Sequence, residues 1–374
     1  MENPERIAQI VGKWLGGGVE AVVMNYYRHI DKTKYQFDFI CDEDSKNIPC
    51  EEIEKLGGRV IIVPPYQKLF KYIKVLQKVY KDGKYNIVHS NLNTLSVFPL
   101  YAAKKAGVPI RMAHSHSSSS KKEFKRHIAK SILKHFSKIY ATHYLCCSEI
   151  AGRYQFGNRT YNKGKVRLVK NAIDLERFSY SPELRAKKRA ELEISENTFV
   201  VGHVGRFVSV KNHSFLLDIF NEIHKEKPDS ILLLAGTGPL LEEVQEKADK
   251  LGLNDCVRFL GQRSDANELY QVFDTVILPS LYEGLVVVLV EAQCAGLPCF
   301  CSSEVSPETK ISDNLTFIPL SESADKWAKI VLDKTKDFSR TTTTESLRKK
   351  GYDICVEAGN LEKLYSEALS NLVK

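Results

Sequence analysis

At 374 residues the chain exceeds one ordinary hydrophobic core, and two domains are expected. Apolar residues make up 43% and charged residues 27%, which excludes a disordered, collagen-like or membrane-embedded polymer. The net charge of +8 conceals an asymmetry, with 31 Lys and Arg against 16 Asp and Glu in residues 1–178 and 23 against 30 in the remainder. A basic half of that kind suits nucleic acid, an anionic membrane face or phosphorylated substrates.

The first residues, MENPER, lack a basic stretch followed by an apolar one, so no signal peptide is expected. No apolar run approaches the roughly 20 residues that cross a bilayer. Residues 6–11 (RIAQIV) read as a strand. The glycines Gly16, Gly17 and Gly18 then open a helix over about 19–29. Strand-like runs follow at 37–41, 59–63, 86–90, 110–114 and 143–148, with helical patterns between them. Such alternation predicts a parallel sheet with helices on both faces. His89 ends one of these strands, and His114 and His116 flank the end of the next.

Lys121 to Lys138 (KKEFKRHIAKSILKHFSK) combines an apolar stripe at helical spacing with seven cations on the other faces. One reading is a core-packed helix with a solvated face. The other is an electrostatic contact with an anionic membrane, at about 1 kcal/mol per cation. Residues 177–197, polar and containing Pro182, read as a linker with a short helix.

A second series begins at 199–205 and continues at 230–236, 257–261, 275–279 and 298–301. The expected domains are 1–178 and 179–357, with a terminal helix over about 358–374 packing back on the first. The architecture is α/β, two Rossmann-like doubly wound domains facing a central cleft, and ligands are expected beyond the carboxyl ends of the strands. Nine Cys show neither a CxxC pair nor a Cys/His ligand spacing, so a reducing, cytoplasmic setting is expected.

Three turns run strand, glycine, helix: Gly16 to Gly18, Gly236-Thr-Gly238-Pro, and Ser280-Leu-Tyr-Glu283-Gly284. Glycine there lets a phosphate approach backbone N–H groups at a helix end. None completes a dinucleotide-binding or P-loop fingerprint. Gly205-Arg206 and Lys211 follow the first strand of the second series, and a guanidinium plus an ammonium suits a diphosphate. Glu283 and Glu291 stand eight apart around an apolar run that ends at Gly296 with Pro298 beyond, so a helix carries carboxylates where packing needs none.

Taken in order, Gly205-Arg206…Lys211, Gly236-x-Gly238-Pro, Phe259-Leu-Gly and Glu283-Gly…Glu291-Ala…Gly296-Leu-Pro resemble retaining glycosyltransferases of family 4, which have the GT-B fold. The Gly17-Gly18 turn, His89, the Ala113-His-Ser-His cluster and Asn171-Ala-Ile-Asp extend the likeness to nearly the whole chain, closest in kind to bacterial capsular and exopolysaccharide transferases. The resemblance implies a nucleotide-diphosphate sugar donor (UDP or GDP) held by the second domain and a glycan or lipid-pyrophosphate acceptor held by the first. Arg206 and Lys211 would grip the diphosphate, Glu291 the ribose hydroxyls, and Glu283 the sugar beside the N–H groups of Gly284 and Leu285. Arg263 would lie near the base. His116, or His114, would lie near the transferred sugar. The resemblance implies no metal and no cofactor; a lipid-pyrophosphate acceptor would make the membrane reading of Lys121–Lys138 useful, with the enzyme at the inner face of the plasma membrane. Val286 stands where the family often has proline, and Ala172 where it has glycine, so the sugar pocket is expected to differ in shape. A non-transferase relative such as an epimerase is the alternative enzyme. A basic membrane or nucleic-acid module is the alternative binder, and no nucleic-acid recognition motif supports it.

Overall fold

The computed structural model describes residues 3–116, 133–134, 136 and 138–372. The basic stretch Lys121–Lys138 therefore lies almost wholly outside the described residues. The chain divides into unit 1, residues 1–172 with 353–374, and unit 2, residues 173–352.

Unit 1 is built on β1 (Glu5–Gly12), β2 (Tyr35–Asp42), β3 (Arg59–Val63), β4 (Ile87–Ser90), β5 (Ile110–Ser115), β6 (His143–Cys146) and β7 (Val166–Leu168). All pair in parallel in the order β3-β2-β1-β4-β5-β6-β7. Every residue of β2 is buried, as a strand covered on both faces must be. That includes Asp38, which is held by the Arg6 guanidinium and by the Tyr85 hydroxyl at 2.6 Å. The terminal helix Ile354–Ser370 is capped by Asp353, whose carboxylate accepts from Cys355 N–H (3.0 Å), and packs on helix Gly18–His29. Tyr365 of that helix is fully buried against Tyr35 and Phe37.

Unit 2 carries β8 (Phe199–Val204), β9 (Ser230–Ala235), β10 (Val257–Gly261), β11 (Thr275–Leu278), β12 (Cys299–Ser302) and β13 (Leu315–Ile318), parallel in the order β10-β9-β8-β11-β12-β13. Its core gathers Phe207, Leu216, Phe220, Leu232, Leu234 and Trp327. In each sheet the strand order reverses once, between β1 and β4 and between β8 and β11. A crevice forms at such a reversal, beyond the carboxyl ends of the strands.

The unit boundary falls six residues before the expected 178/179. Helix Leu175–Phe178 packs on helices Ala266–Val272, Val287–Cys294 and Thr344–Lys349, so it belongs to unit 2. The chain returns to unit 1 at Asp353, and Ile173 N–H donates to the Tyr352 carbonyl (3.0 Å) where the two crossings run side by side. Strands β7 and β13 were not expected. Both are short edge strands of mixed polarity, a pattern with no alternation long enough to read. Cys146, Cys147, Cys299 and Cys301 are buried, as small core hydrophobes. No helix among the described residues is long and apolar enough to cross a membrane.

Candidate active site

In unit 2, β8 ends at Val204 and the chain turns at Gly205 beside the end of β11. A short 3-10 turn, Ser209–Lys211, follows, and Asn212 in the left-handed region (φ 55°) redirects the chain into helix His213–Glu226. Asn212 Nδ2 donates to the Pro279 carbonyl (3.1 Å), and Leu281 N–H donates to the Val210 carbonyl (2.8 Å). These bonds stitch the loop after β8 to the loop after β11. Lys211 Nζ therefore stands 2.7 Å from Glu283 Oε1, with both side chains mostly buried. The ammonium lies off the hydrogen-bonding direction, and Oε1 accepts no hydrogen bond. Arg206, on the same loop, is half-buried and forms no side-chain hydrogen bond or ion pair among the described residues. A charge pair and an unpaired guanidinium at one strand edge form a cation-rich corner suited to an anion.

The glycines of this corner have a packing reason of their own. A Cβ on Gly236 (φ 145°) would lie 2.0 Å from the Gly205 carbonyl oxygen, and one on Gly238 would lie 2.4 Å from that of Phe207. Glycine is needed because two loops touch backbone to backbone.

The helix Val287–Cys294 begins with no side-chain cap. The N–H groups of Gly284 and Leu285, just before it, donate to no carbonyl among the described residues, so the helix start offers free donors. Glu291 lies one turn on, 9% exposed, and its Oε2 accepts from the Tyr270 hydroxyl at 2.8 Å. Burial pushes its carboxyl up to about 7, against the opposing pull of the Tyr270 bond and the Arg177 charge. Tyr270 is itself fully buried between Phe178 and Phe273. Arg263 is committed to Asp265 by two bonds of 2.8 and 2.6 Å, and a ligand there must compete with that fork. Behind Lys211, His213 stacks on Phe207 at 4.2 Å and lies 4.6 Å from His203. Burial drives His213 down to about 2 and His203 to about 4, so both are neutral and add no charge to the corner.

In unit 1, the glycine turn is closed by Glu20, whose Oε1 accepts from Leu15 N–H (3.0 Å). Gly17 leaves room for that carboxylate, 2.9 Å from where a Cβ would stand, and helix Gly18–His29 starts immediately after. The histidines form a chain at the ends of β4 and β5. Tyr365 Oη lies 2.8 Å from His89 Nδ1, and His89 Nε2 lies 3.1 Å from His114 Nδ1. The His114 and His116 rings are 3.9 Å apart, and His116 Nε2 donates to Asn91 Oδ1 at 3.0 Å. His114 Nε2 and His116 Nδ1 are buried without partners. His89, Asn91, His114 and His116, with Gln9, Tyr26 and Leu361, line a small cavity of about 10 Å³, room for about one water. Burial lowers His89 to about 3 and His116 to about 4, and His114 well below its usual value, so the cluster acts as neutral donors and acceptors.

The structure thus brings Arg206, Lys211, Glu283, Gly284 and Leu285 to one edge of unit 2, with Glu291 on the helix that follows. It gathers His89, His114 and His116 at one edge of unit 1. Sequence reasoning missed Tyr270, Tyr365, Asn91 and Gln9. The two tyrosines lie in helical apolar stretches that read as core, and no sequence signal sets them apart. Among the described residues no group of His, Cys, Asp and Glu has the geometry to hold a metal ion.

Comparison with known proteins agrees across the whole length. The family described as Glycosyltransferase Family 4 matches residues 16–177, and the one described as Glycosyl transferases group 1 matches residues 185–351. EpsF of Bacillus subtilis (strain 168), assigned without further specification to the glycosyltransferases, is 35% identical over 97% of both chains. A UDP-Gal:alpha-D-GlcNAc-diphosphoundecaprenol alpha-1,3-galactosyltransferase of Escherichia coli is 24% identical over 98% of both. Among solved structures, Anabaena Alr3699/HepE in complex with UDP and glucose has a TM-score of 0.79 at 19% identity, covering 96% of this chain and 99% of that one. Sucrose-phosphate synthase from Thermosynechococcus elongatus also has a TM-score of 0.79, at 18% identity, covering 98% and 100%. At such identities these two likenesses establish the fold.

Proposed function

The chain belongs to glycosyltransferase family 4, with the GT-B fold of two Rossmann-like units, and from that premise we propose a retaining transferase that moves a hexose from a UDP- or GDP-sugar to a glycan or lipid-linked acceptor. The setting is bacterial cell-surface polysaccharide synthesis, at the inner face of the plasma membrane. The observation that carries this reading is the corner of unit 2, where Lys211 and Glu283 meet beside the unpaired Arg206 and the open start of helix Val287–Cys294. The UDP of HepE and the diphosphoundecaprenol-linked substrate of the E. coli relative support the donor and acceptor classes.

In this reading Arg206, Lys211 and the N–H groups of Gly284 and Leu285 carry the negative charge that develops as the nucleotide diphosphate departs. Glu291 accepts from the ribose hydroxyls through the oxygen that Tyr270 leaves free. Glu283 faces the sugar, held in place by Lys211. The acceptor attacks from the side of the leaving group, whose phosphate takes the acceptor proton, so the anomeric configuration is kept. His114 and His116 supply neutral hydrogen-bonding groups toward substrate.

The test is a thermal-shift panel of UDP-, GDP- and ADP-sugars, followed by NMR of the product anomer. One nucleotide class raises the melting temperature. Lys211→Ala and Glu291→Ala proteins that stay folded lose that shift and lose at least about a hundredfold in kcat/KM, the first through a lost charge contact to the transition state and the second through lost donor binding. Undiminished turnover in either variant, or an inverted product, contradicts the proposal.

A further inference from the structure

Helix Leu69–Asp82 of unit 1 (LFKYIKVLQKVYKD) is sharply divided. Tyr72, Leu76 and Tyr80 are fully buried and fix it to the sheet. On the opposite face, Phe70, Lys74, Lys78 and Lys81 recur at intervals of four, four and three, one above another, with Lys71 alongside. All five are exposed, Phe70 at 91%, the most exposed large apolar side chain among the described residues.

A solvated helix face ordinarily mixes signs, because like charges one turn apart repel and opposite ones attract. Here Lys71–Lys74, Lys74–Lys78 and Lys78–Lys81 are all like pairs. No acid is ion-paired with any of the four lysines among the described residues. The stripe's one acid, Asp82, stands at its C-terminal edge. An unshielded row of ammonium groups and a phenyl ring left in water are both unfavourable alone. Both become favourable against one kind of surface, an anionic bilayer, where phosphate headgroups meet the lysines and the ring enters the interface. Nucleic acid would satisfy the cations, but it gives a single projecting phenyl at the first turn no groove to enter.

We propose that the Phe70–Lys71–Lys74–Lys78–Lys81 face of helix Leu69–Asp82 docks the enzyme on anionic lipid. This deepens the membrane-side setting of the proposed function, resting on it only for the benefit such docking confers. None of these five residues belongs to the basic stretch 121–138.

The full chain is tested by co-flotation with vesicles of phosphatidylcholine alone or with about 30% phosphatidylglycerol, at about 0.1 M salt. Wild-type protein floats with the anionic vesicles only and is released by high salt. Lys74→Glu/Lys78→Glu weakens partitioning by at least about tenfold, at roughly fivefold per cation, and Phe70→Ala by about threefold. A matched control, Lys187→Glu/Lys225→Glu on unit 2, leaves flotation unchanged. All variants keep the wild-type melting curve and nucleotide-sugar thermal shift, so loss of donor binding and loss of docking are read separately. Wild-type protein that ignores anionic vesicles overturns the proposal, as does a Lys74/Lys78 variant that floats like the control. Binding to a short RNA with no binding to vesicles overturns it in favour of a polyanion site.

Discussion

Tyr270 and Glu291 show how one hydroxyl can set a carboxylate's readiness. The carboxyl is buried deeply enough to titrate near 7, and the Tyr270 bond is the largest influence holding it down. In the proposed role the ionised form accepts from two hydroxyls, so donor affinity should rise as pH climbs through about 7. Removing the phenol oxygen in Tyr270→Phe deletes that restraint and leaves the aromatic packing intact. The midpoint of the donor-affinity profile should then move to higher pH, with KM at pH 7 raised about three- to tenfold and kcat little changed. A purely structural Tyr270 would lower the melting temperature without moving the midpoint. Both glutamates stood out in the sequence, Glu291 as a carboxylate within an apolar helix and Glu283 in the turn before it. Their partners divide by visibility. Lys211 is legible because it belongs to a loop motif, whereas Tyr270 is not, because a tyrosine at the edge of an apolar run looks like packing.

At the scale of elements, the two helices that carry Tyr270 and Glu291 are held by one half-buried arginine. Arg340 donates from Nε to the Ala295 carbonyl (2.6 Å), from one terminal nitrogen to Tyr270 O (2.7 Å), and from the other to Gln271 O and Phe273 O. Helix ends leave carbonyls without partners, and this guanidinium serves two such ends at once. Its cost is visible in its own acidity, pushed down to about 9 by burial and by the neighbouring Arg185 charge. Arg185 also bonds the Gln271 and Phe273 carbonyls, so Arg340→Leu orphans chiefly Tyr270 O and Ala295 O. The expected loss is about 2–4 kcal/mol in urea unfolding of unit 2. Arg340→Lys should recover less than half, since one ammonium cannot reach both helix ends. Full recovery by lysine would mean that charge, not the fork, is what matters. None of this was legible beforehand. Arg340 sits in a polar stretch, RTTTT, that reads as a loop, and its partners are backbone atoms that no side-chain pattern announces. The long strands were legible because burial on both faces enforces continuous apolar runs. The edge strands β7 and β13 were not, because one side of each meets water.

Across the whole molecule the same burial that neutralises the histidines should make the protein acid-labile, and the sign can be worked through. His89, His114, His116, His203 and His213 all have native values below the ordinary 6.5, chiefly through desolvation. Between about 4 and 6.5 the unfolded chain binds protons there that the native chain refuses. Their contribution is therefore intact above 6.5 and is lost as pH falls through that window. Glu291, Asp42 and Glu357 oppose this, since each is raised and the native state keeps a proton that the unfolded state releases. The three carboxyls offset only part of the uptake by the five imidazoles, and each net proton taken up on unfolding is worth about 1.4 kcal/mol per pH unit. Stability should fall between pH 6.5 and 5 by a few kcal/mol, read as a drop in urea midpoint. Unit 1 sets three of these histidines against Asp42 and Glu357, and unit 2 sets two against Glu291, so both phases of a biphasic transition should weaken together as the pH falls. His89→Gln should flatten the unit 1 slope by about one proton while leaving the unit 2 slope unchanged. A urea midpoint that stays level from pH 7 to 5 would mean that these imidazoles are hydrated and titrate normally, and the dry histidine cluster beside β4 and β5 would have to be abandoned.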